Sequence, residues 1–159
     1  MTTQVRPQSA YDVIVVGSGA GAMSAAVVAA DHGLSVLVVE KSDKYGGTSA
    51  ISGGGIWIPN NHYFAEKGGK DSYDKALTYL KASTEGKIDE ERLRAYLEYA
   101  PRMIHYLETR SRVRYAVAEK YPDYYQHLPD ALPGGRSLDP ELFDTSLLGD
   151  EYEHMRKPS

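Results

Sequence analysis

YDVIVVGSGAGAMSAAVVAADHGLSVLVVE, residues 11–40, decides the fold. From Tyr11 to Val16 it is short, apolar, β-branched and stopped by a glycine, which is the pattern of a buried parallel strand. An alanine-rich helix follows, with Gly33 as its expected terminator. A second buried strand, Leu34 to Glu40, completes strand, helix and strand within about the 30 residues that a βαβ unit requires.

The turn inside this unit carries chemistry. Gly17-x-Gly19-x-x-Ala22 is the G-x-G-x-x-G/A fingerprint in its required setting, after a strand and opening a helix. Gly17 permits the tight turn, Gly19 lets backbone approach a pyrophosphate, and Ala22 allows close packing of helix on strand. Phosphates would sit on the helix N-terminus, where free amides and the macrodipole favour negative charge. Glu40 lies 23 positions after Gly17, close to the roughly 20 expected for a carboxylate that binds adenosine ribose hydroxyls. An acid there argues against a 2′-phosphate. The fold class is therefore α/β, a Rossmann-like dinucleotide-binding βαβ unit with a parallel sheet, and the ligand is NAD or FAD.

The chain has 159 residues, 42% hydrophobic and 25% charged, which predicts one globular domain. A net charge of −4 with scattered lysines and arginines offers no stripe for a nucleic-acid backbone. The absence of cysteine excludes disulfides, thiolate metal sites and thiol nucleophiles. Residues 1–10 carry no signal or transit pattern and are expected to be disordered, leaving residues 11–159 as the folded part and the cytoplasm as the default location. No apolar run approaches the roughly 20 residues of a membrane span. The five histidines are isolated from one another in sequence, and no metal is expected.

A second glycine cluster, GGTSAISGGGIWIP, occupies residues 46–59. Its apolar residues, Ile51, Ile56, Trp57 and Ile58, want burial, so it is no flexible linker. Beyond it, Asp71 or Ser72 can cap a helix through about Ser83, and Asp89 a longer one from Glu90 to about Arg110. On the latter, Leu93, Tyr96, Leu97, Ala100, Ile104 and Leu107 share one face, and Pro101 should kink or split it. RVRYAVAEK suits a strand, and YPDYYQHLPDALPGGRSLDP reads as a long turn-rich loop. Such loops are functional or disordered, and three tyrosines argue for an ordered one.

GSGAGAMSAA, VVEKSDKYGGTSAISGGGIWIPNN and YPDYY followed by GGRSLDP, in that order, resemble the fumarate reductase/succinate dehydrogenase type of FAD flavoproteins, and within it the 3-ketosteroid 1-dehydrogenases. The resemblance runs from about Tyr11 to the end of the chain. It implies FAD as cofactor, with Gly17, Ser18, Gly19, Ala20 and Gly21 at the pyrophosphate and Glu40 with Lys41 at the adenosine ribose. It further implies that Gly47, Thr48 and Ser49 contact the pyrophosphate and ribityl region, while Gly53, Gly54 and Gly55 pass beside the isoalloxazine. Trp57 and Pro59 would anchor that turn. Tyr124, the first tyrosine of the D-Y-Y loop, corresponds to the one facing the steroid opposite the flavin. Tyr121, Tyr125 and Gly55 would line the substrate pocket, with Gly55 standing where some steroid enzymes have serine.

The activity so implied is dehydrogenation of a 3-ketosteroid or similar cyclic ketone, with hydride passing to flavin N5. The alternatives are reduction of an activated C=C bond, as fumarate reductases perform, and a non-catalytic FAD-binding subunit. Family members are several times longer. Their tyrosine base and the groups gripping the 3-keto oxygen would fall after Ser159, so the chain is expected to be incomplete relative to the family. A missing C-terminal portion or a second chain would complete the FAD site, because a sheet lacking its later strands exposes apolar edge and face.

Overall fold

The computed structural model describes residues 10–157; the expectation for residues 1–10 falls almost wholly outside them. The chain forms two compact units, one of residues 1–54 with 142–159 and one of residues 55–141.

The first unit holds β1 (Val13–Val16), α1 (Ala20–Asp31) and β2 (Val36–Val39). The strands pair in parallel with Val13 opposite Val36 and Val16 opposite Val39. Helix α1 ends where Gly33 turns the chain with a φ of +81°, as its position after the alanine run requires. The strands are not buried as their apolar sequence predicts: Ile14 is 61% and Val16 81% exposed. With only β1 and β2 paired in this unit, the Val15 side is covered and the opposite face is bare. A short 3-10 helix, Ser49–Ile51, follows, and the returning segment 145–154 ends in a parallel bridge of Met155 to Tyr45.

The second unit contains β3 (Ile56–Trp57), α2 (His62–Glu66), α3 (Tyr73–Thr84), α4 (Glu90–Arg110), β4 (Tyr115–Val117) and β5 (Ser137–Pro140). The Ser72 side chain caps α3 by accepting from the Lys75 amide at 3.3 Å. Asp89 precedes α4 but makes no side-chain cap bond. Leu93, Leu97, Ala100, Ile104 and Leu107 are buried along one face of α4, as their spacing predicts. Tyr96 departs from that pattern: it is 41% exposed, and its ring stacks on Trp57 at 6.3 Å. Pro101 does not split α4, which runs unbroken for 21 residues. The single backbone bond lost at Pro101 is outweighed by burial of Leu97, Ala100 and Ile104 around it.

Segment 137–140 is no loop. It is the central strand of a three-stranded antiparallel sheet ordered β3-β5-β4, with Leu138 opposite both Ile56 and Val117. Leu138, Ile58, Ala100 and Ile104 form the core beneath that sheet, and Ala76, Leu77, Leu93 and Leu97 form a second core between α3 and α4.

Candidate functional site

In the first unit the turn after β1 is made by Gly17, whose φ of +96° costs an L side chain about 1–2 kcal/mol. Its amide donates to Val39 O at 2.7 Å, which locks the turn to the end of β2. Gly19 then opens α1 in extended conformation, and no side chain of its own caps the helix. One first-turn amide, that of Ala20, donates to Ser49 Oγ at 3.0 Å. This leaves a positive helix end walled by glycine and alanine, open to an anion.

Three segments converge there through Ser18. The Ser18 side chain is buried; its hydroxyl donates to Glu40 Oε2 and accepts from the Gly46 amide at 2.8 Å. Glu40 Oε1 accepts from the Ser42 amide at 3.0 Å. The hydrogen bonds from Ser18 first and Ser42 second hold the Glu40 carboxyl below its ordinary range. At Gly47, φ is +54° and a Cβ would lie 3.4 Å from Gly19 Cα, so the two glycine loops meet backbone to backbone. The Ser18 hydroxyl is thus occupied by Glu40 and Gly46.

The structure thus unites residues 17–21, Glu40 and residues 46–49 in one cradle of backbone amides beside an ionised acid. That donor set suits a diphosphate and a ribose diol, and it fits FAD. Lys41, Thr48 and Ser49 lie exposed around it, as does Gly53, while Gly54 turns the chain just beyond.

The second unit carries the tyrosine loop. Tyr121, Tyr124 and Tyr125 are 60%, 86% and 46% exposed, and the rings of the last two meet edge to face at 5.5 Å. The loop hangs from Asp123, which is buried and was not singled out from sequence. Asp123 Oδ1 accepts from Trp57 Nε1 at 2.7 Å, and Oδ2 accepts from Arg136 Nη1 and the Leu132 amide, both at 2.8 Å. Arg136 also grips Asp71 through Nε and Nη2, at 2.9 and 2.7 Å. The Tyr79 hydroxyl accepts from the Tyr125 amide at 3.1 Å. Pro59, next to this network's Trp57 strand in sequence, is fully buried. A Cβ on Gly55 would lie in close contact with Asp139 Oδ1, at 3.4 Å.

The histidines are not all isolated. His62 Nε2 lies 2.8 Å from Glu108 Oε2, and the His62 and His105 rings meet at 5.5 Å. His105 and Glu108 share a face of α4 at i,i+3, a spacing visible in sequence, whereas His62 comes from α2 and joins them only in the fold.

The FAD binding domain family matches residues 12–153. The chain is 46% identical over 151 residues to 4-oxocyclohexanecarboxylate 2-dehydrogenase of Sinomonas cyclohexanicum, covering 94% of this chain and 26% of that protein. It is 46% identical over 138 residues to 3-oxosteroid 1-dehydrogenase of Comamonas testosteroni, covering 87% and 24%. The crystal structure of 3-ketosteroid Δ1-dehydrogenase from Sterolibacterium denitrificans in complex with 1,4-androstadiene-3,17-dione superposes with a TM-score of 0.89 at 62% identity, over 94% of this chain and 26% of that one. The chain therefore spans about a quarter of the length of these relatives. Among the described residues no helix is long and apolar enough to cross a membrane. The family match, with the Ser18-centred cradle inside it, places this chain in the FAD binding domain family, with FAD as its cofactor.

Proposed function

We propose that this chain is the FAD-holding portion of an oxidoreductase that dehydrogenates a 3-ketosteroid or similar cyclic ketone at a C–C bond near the carbonyl. The observation that carries the reading is the convergence of residues 17–21, Glu40 and residues 46–49 on one cradle, in a chain whose similar proteins are named for dehydrogenating ring ketones.

The residue roles are those that the resemblance implies. Gly17, Ser18, Gly19, Ala20 and Gly21 surround the diphosphate, which takes the amides not already given to Val39 O by Gly17 and to Ser49 Oγ by Ala20, and Glu40 with Lys41 takes the adenosine ribose. Gly47, Thr48 and Ser49 serve the pyrophosphate and ribityl chain, and Gly53 and Gly54 run beside the ring system. FAD, when bound, supplies the hydride acceptor. Tyr124 offers its phenol to the substrate, and Tyr121, Tyr125 and Gly55 line the substrate's side. The rest of a longer protein, or a second chain, completes the site and supplies the base.

The test is anaerobic mixing of the flavin-loaded protein with a 3-ketosteroid saturated at C1–C2, and separately with 4-oxocyclohexanecarboxylate. Bleaching of the flavin's visible absorbance by either supports the reading and selects the substrate class. A flavin that neither compound bleaches, but that dithionite reduces, overturns it.

A further inference from the structure

We propose that His62, His105 and Glu108 form a binding site for one divalent transition-metal ion of the zinc class, separate from the FAD cradle. Two imidazoles and one carboxylate are a ligand set that suits zinc, with a fourth position left for water. Each of the three residues offers a ligand atom, and these atoms all lie within 4.8 Å of one another. Ligand lengths of about 2.0–2.2 Å put neighbouring ligand atoms of a tetrahedral zinc about 3.4 Å apart. To reach that spacing His62 and Glu108, now 2.8 Å apart, part by about half an ångström while the wider separations close by about an ångström, movements on the scale of side-chain rotation.

The backbone under the cluster is already fixed. His62 follows Asn61, which is buried and donates from Nδ2 to Ile58 O at 2.7 Å and Gly135 O at 2.8 Å while its Oδ1 accepts from the Phe64 amide at 2.8 Å. His105 and Glu108 flank Ile104 and Leu107, both buried, so their stretch of α4 cannot turn away. The opening faces water, because His105 is exposed while His62 and Glu108 keep 28% of their side-chain surface.

A second observation points to the same place. The Tyr63 hydroxyl is buried and makes no hydrogen bond of ordinary geometry among the described residues, with the Glu108 carboxylate nearby. That hydroxyl is placed to orient the carboxylate from behind, as partners of metal ligands do. Arg114 is the cation felt at Tyr63, and Nη1 of its guanidinium is bound to the carbonyls of Ser111 and Val113. A plain His62–Glu108 ion pair accounts for two members of the cluster and gives no role to His105. That residue therefore decides the question.

The experiment uses the flavin-loaded protein, stripped of metal with a chelator and titrated with Co²⁺ by absorbance and with Zn²⁺ by calorimetry. One Zn²⁺ per chain and a Co²⁺ visible band of tetrahedral type are expected. Both should weaken by more than about tenfold in His105→Ala, the lower end of what even outer partners of a metal contribute. His105 is exposed, so this variant keeps its fold, and its flavin content should equal that of the parent. Failure to bind Zn²⁺ stoichiometrically, or equal binding by His105→Ala, overturns the proposal.

Discussion

Arg136 Nη1 donates to Asp123 Oδ2 at 2.8 Å, and both side chains are 1% exposed. The guanidinium spans this carboxylate and that of Asp71, while lying 5.7 Å from the Trp57 ring and 5.5 Å from the Tyr79 ring. One cation thus ties the residue before Tyr124 to the starts of α3 and β3. Removing it leaves two buried carboxylates without their counter-charge. Arg136→Met should cost about 3–5 kcal/mol in urea unfolding. Arg136→Lys should recover little of this, because an ammonium cannot reproduce the fork that holds Asp71 through two nitrogens. A loss below about 1 kcal/mol in either variant would show the network to be dispensable.

Asp71 gives the same network an acid limit. Burial alone would raise its pKa, but the hydrogen bonds from Arg136, Asn60 and Ser72, with the Arg136 charge, outweigh burial and lower it from 3.8. A carboxyl lowered in the folded state contributes stability that is complete above its unfolded pKa of about 3.9 and is lost as pH falls through the folded value. Urea midpoints should hold steady from neutral pH to about pH 5 with respect to this group and then decline. Asp71→Asn should lower the neutral-pH midpoint and flatten the acid decline. An unchanged acid slope in that variant assigns the decline to other carboxyls.

Ser18 is the hinge pin of the FAD cradle, since its one hydroxyl serves Glu40 and the Gly46 amide. Ser18→Ala strips both groups of a partner at about 1–3 kcal/mol. FAD affinity should fall about five- to a hundredfold, at 1.4 kcal/mol per decade. Flavin release followed by fluorescence reads the change. Wild-type retention of FAD in Ser18→Ala would mean that the loops hold each other without it.

Gly47 makes a narrower prediction. Alanine there adds strain of about 1–2 kcal/mol at positive φ and sets a methyl against Gly19. Gly47→Ala should therefore purify with less flavin than the parent protein. Flavin-to-protein absorbance ratios compare the two.

The βαβ unit and its glycine turn were legible because all their determinants lie within residues 11–40 and repeat with local period. Strand burial was not: Ile14 and Val16 have the composition of a covered strand, yet cover depends on elements that composition does not locate. The antiparallel sheet escaped for another reason. Ile56–Trp57 and Ser137–Pro140 are short and pair with each other across some 80 residues, and SLDP by itself has the chemistry of a turn. Arg136 stood in a quoted motif, but its meaning rests on Asp71 and Asp123, 65 and 13 positions away. The cradle was half legible: the fingerprint named Gly17, Gly19 and Glu40, while the diversion of Ser18 to Glu40 is a matter of side-chain direction that spacing does not encode.

Tyr124 separates catalysis from cofactor holding. Its side chain is 86% exposed and packs edge-on against Tyr125, so loss of its hydroxyl removes no buried contact, and Tyr124→Phe should stay within about 0.5 kcal/mol of the parent. FAD content should not change, since no atom of the Ser18 cradle depends on it. If the phenol acts on the ketone substrate as proposed, kcat should drop by about a hundredfold, the lower end of the roughly 10²–10⁴ range for groups that move protons. KM should shift less than kcat, because the ring that contacts the substrate remains. A parental kcat in Tyr124→Phe, with FAD retained, removes Tyr124 from the chemistry and leaves it a wall residue like Tyr121. A fall in kcat accompanied by equal loss of FAD would instead trace the defect to the cofactor site.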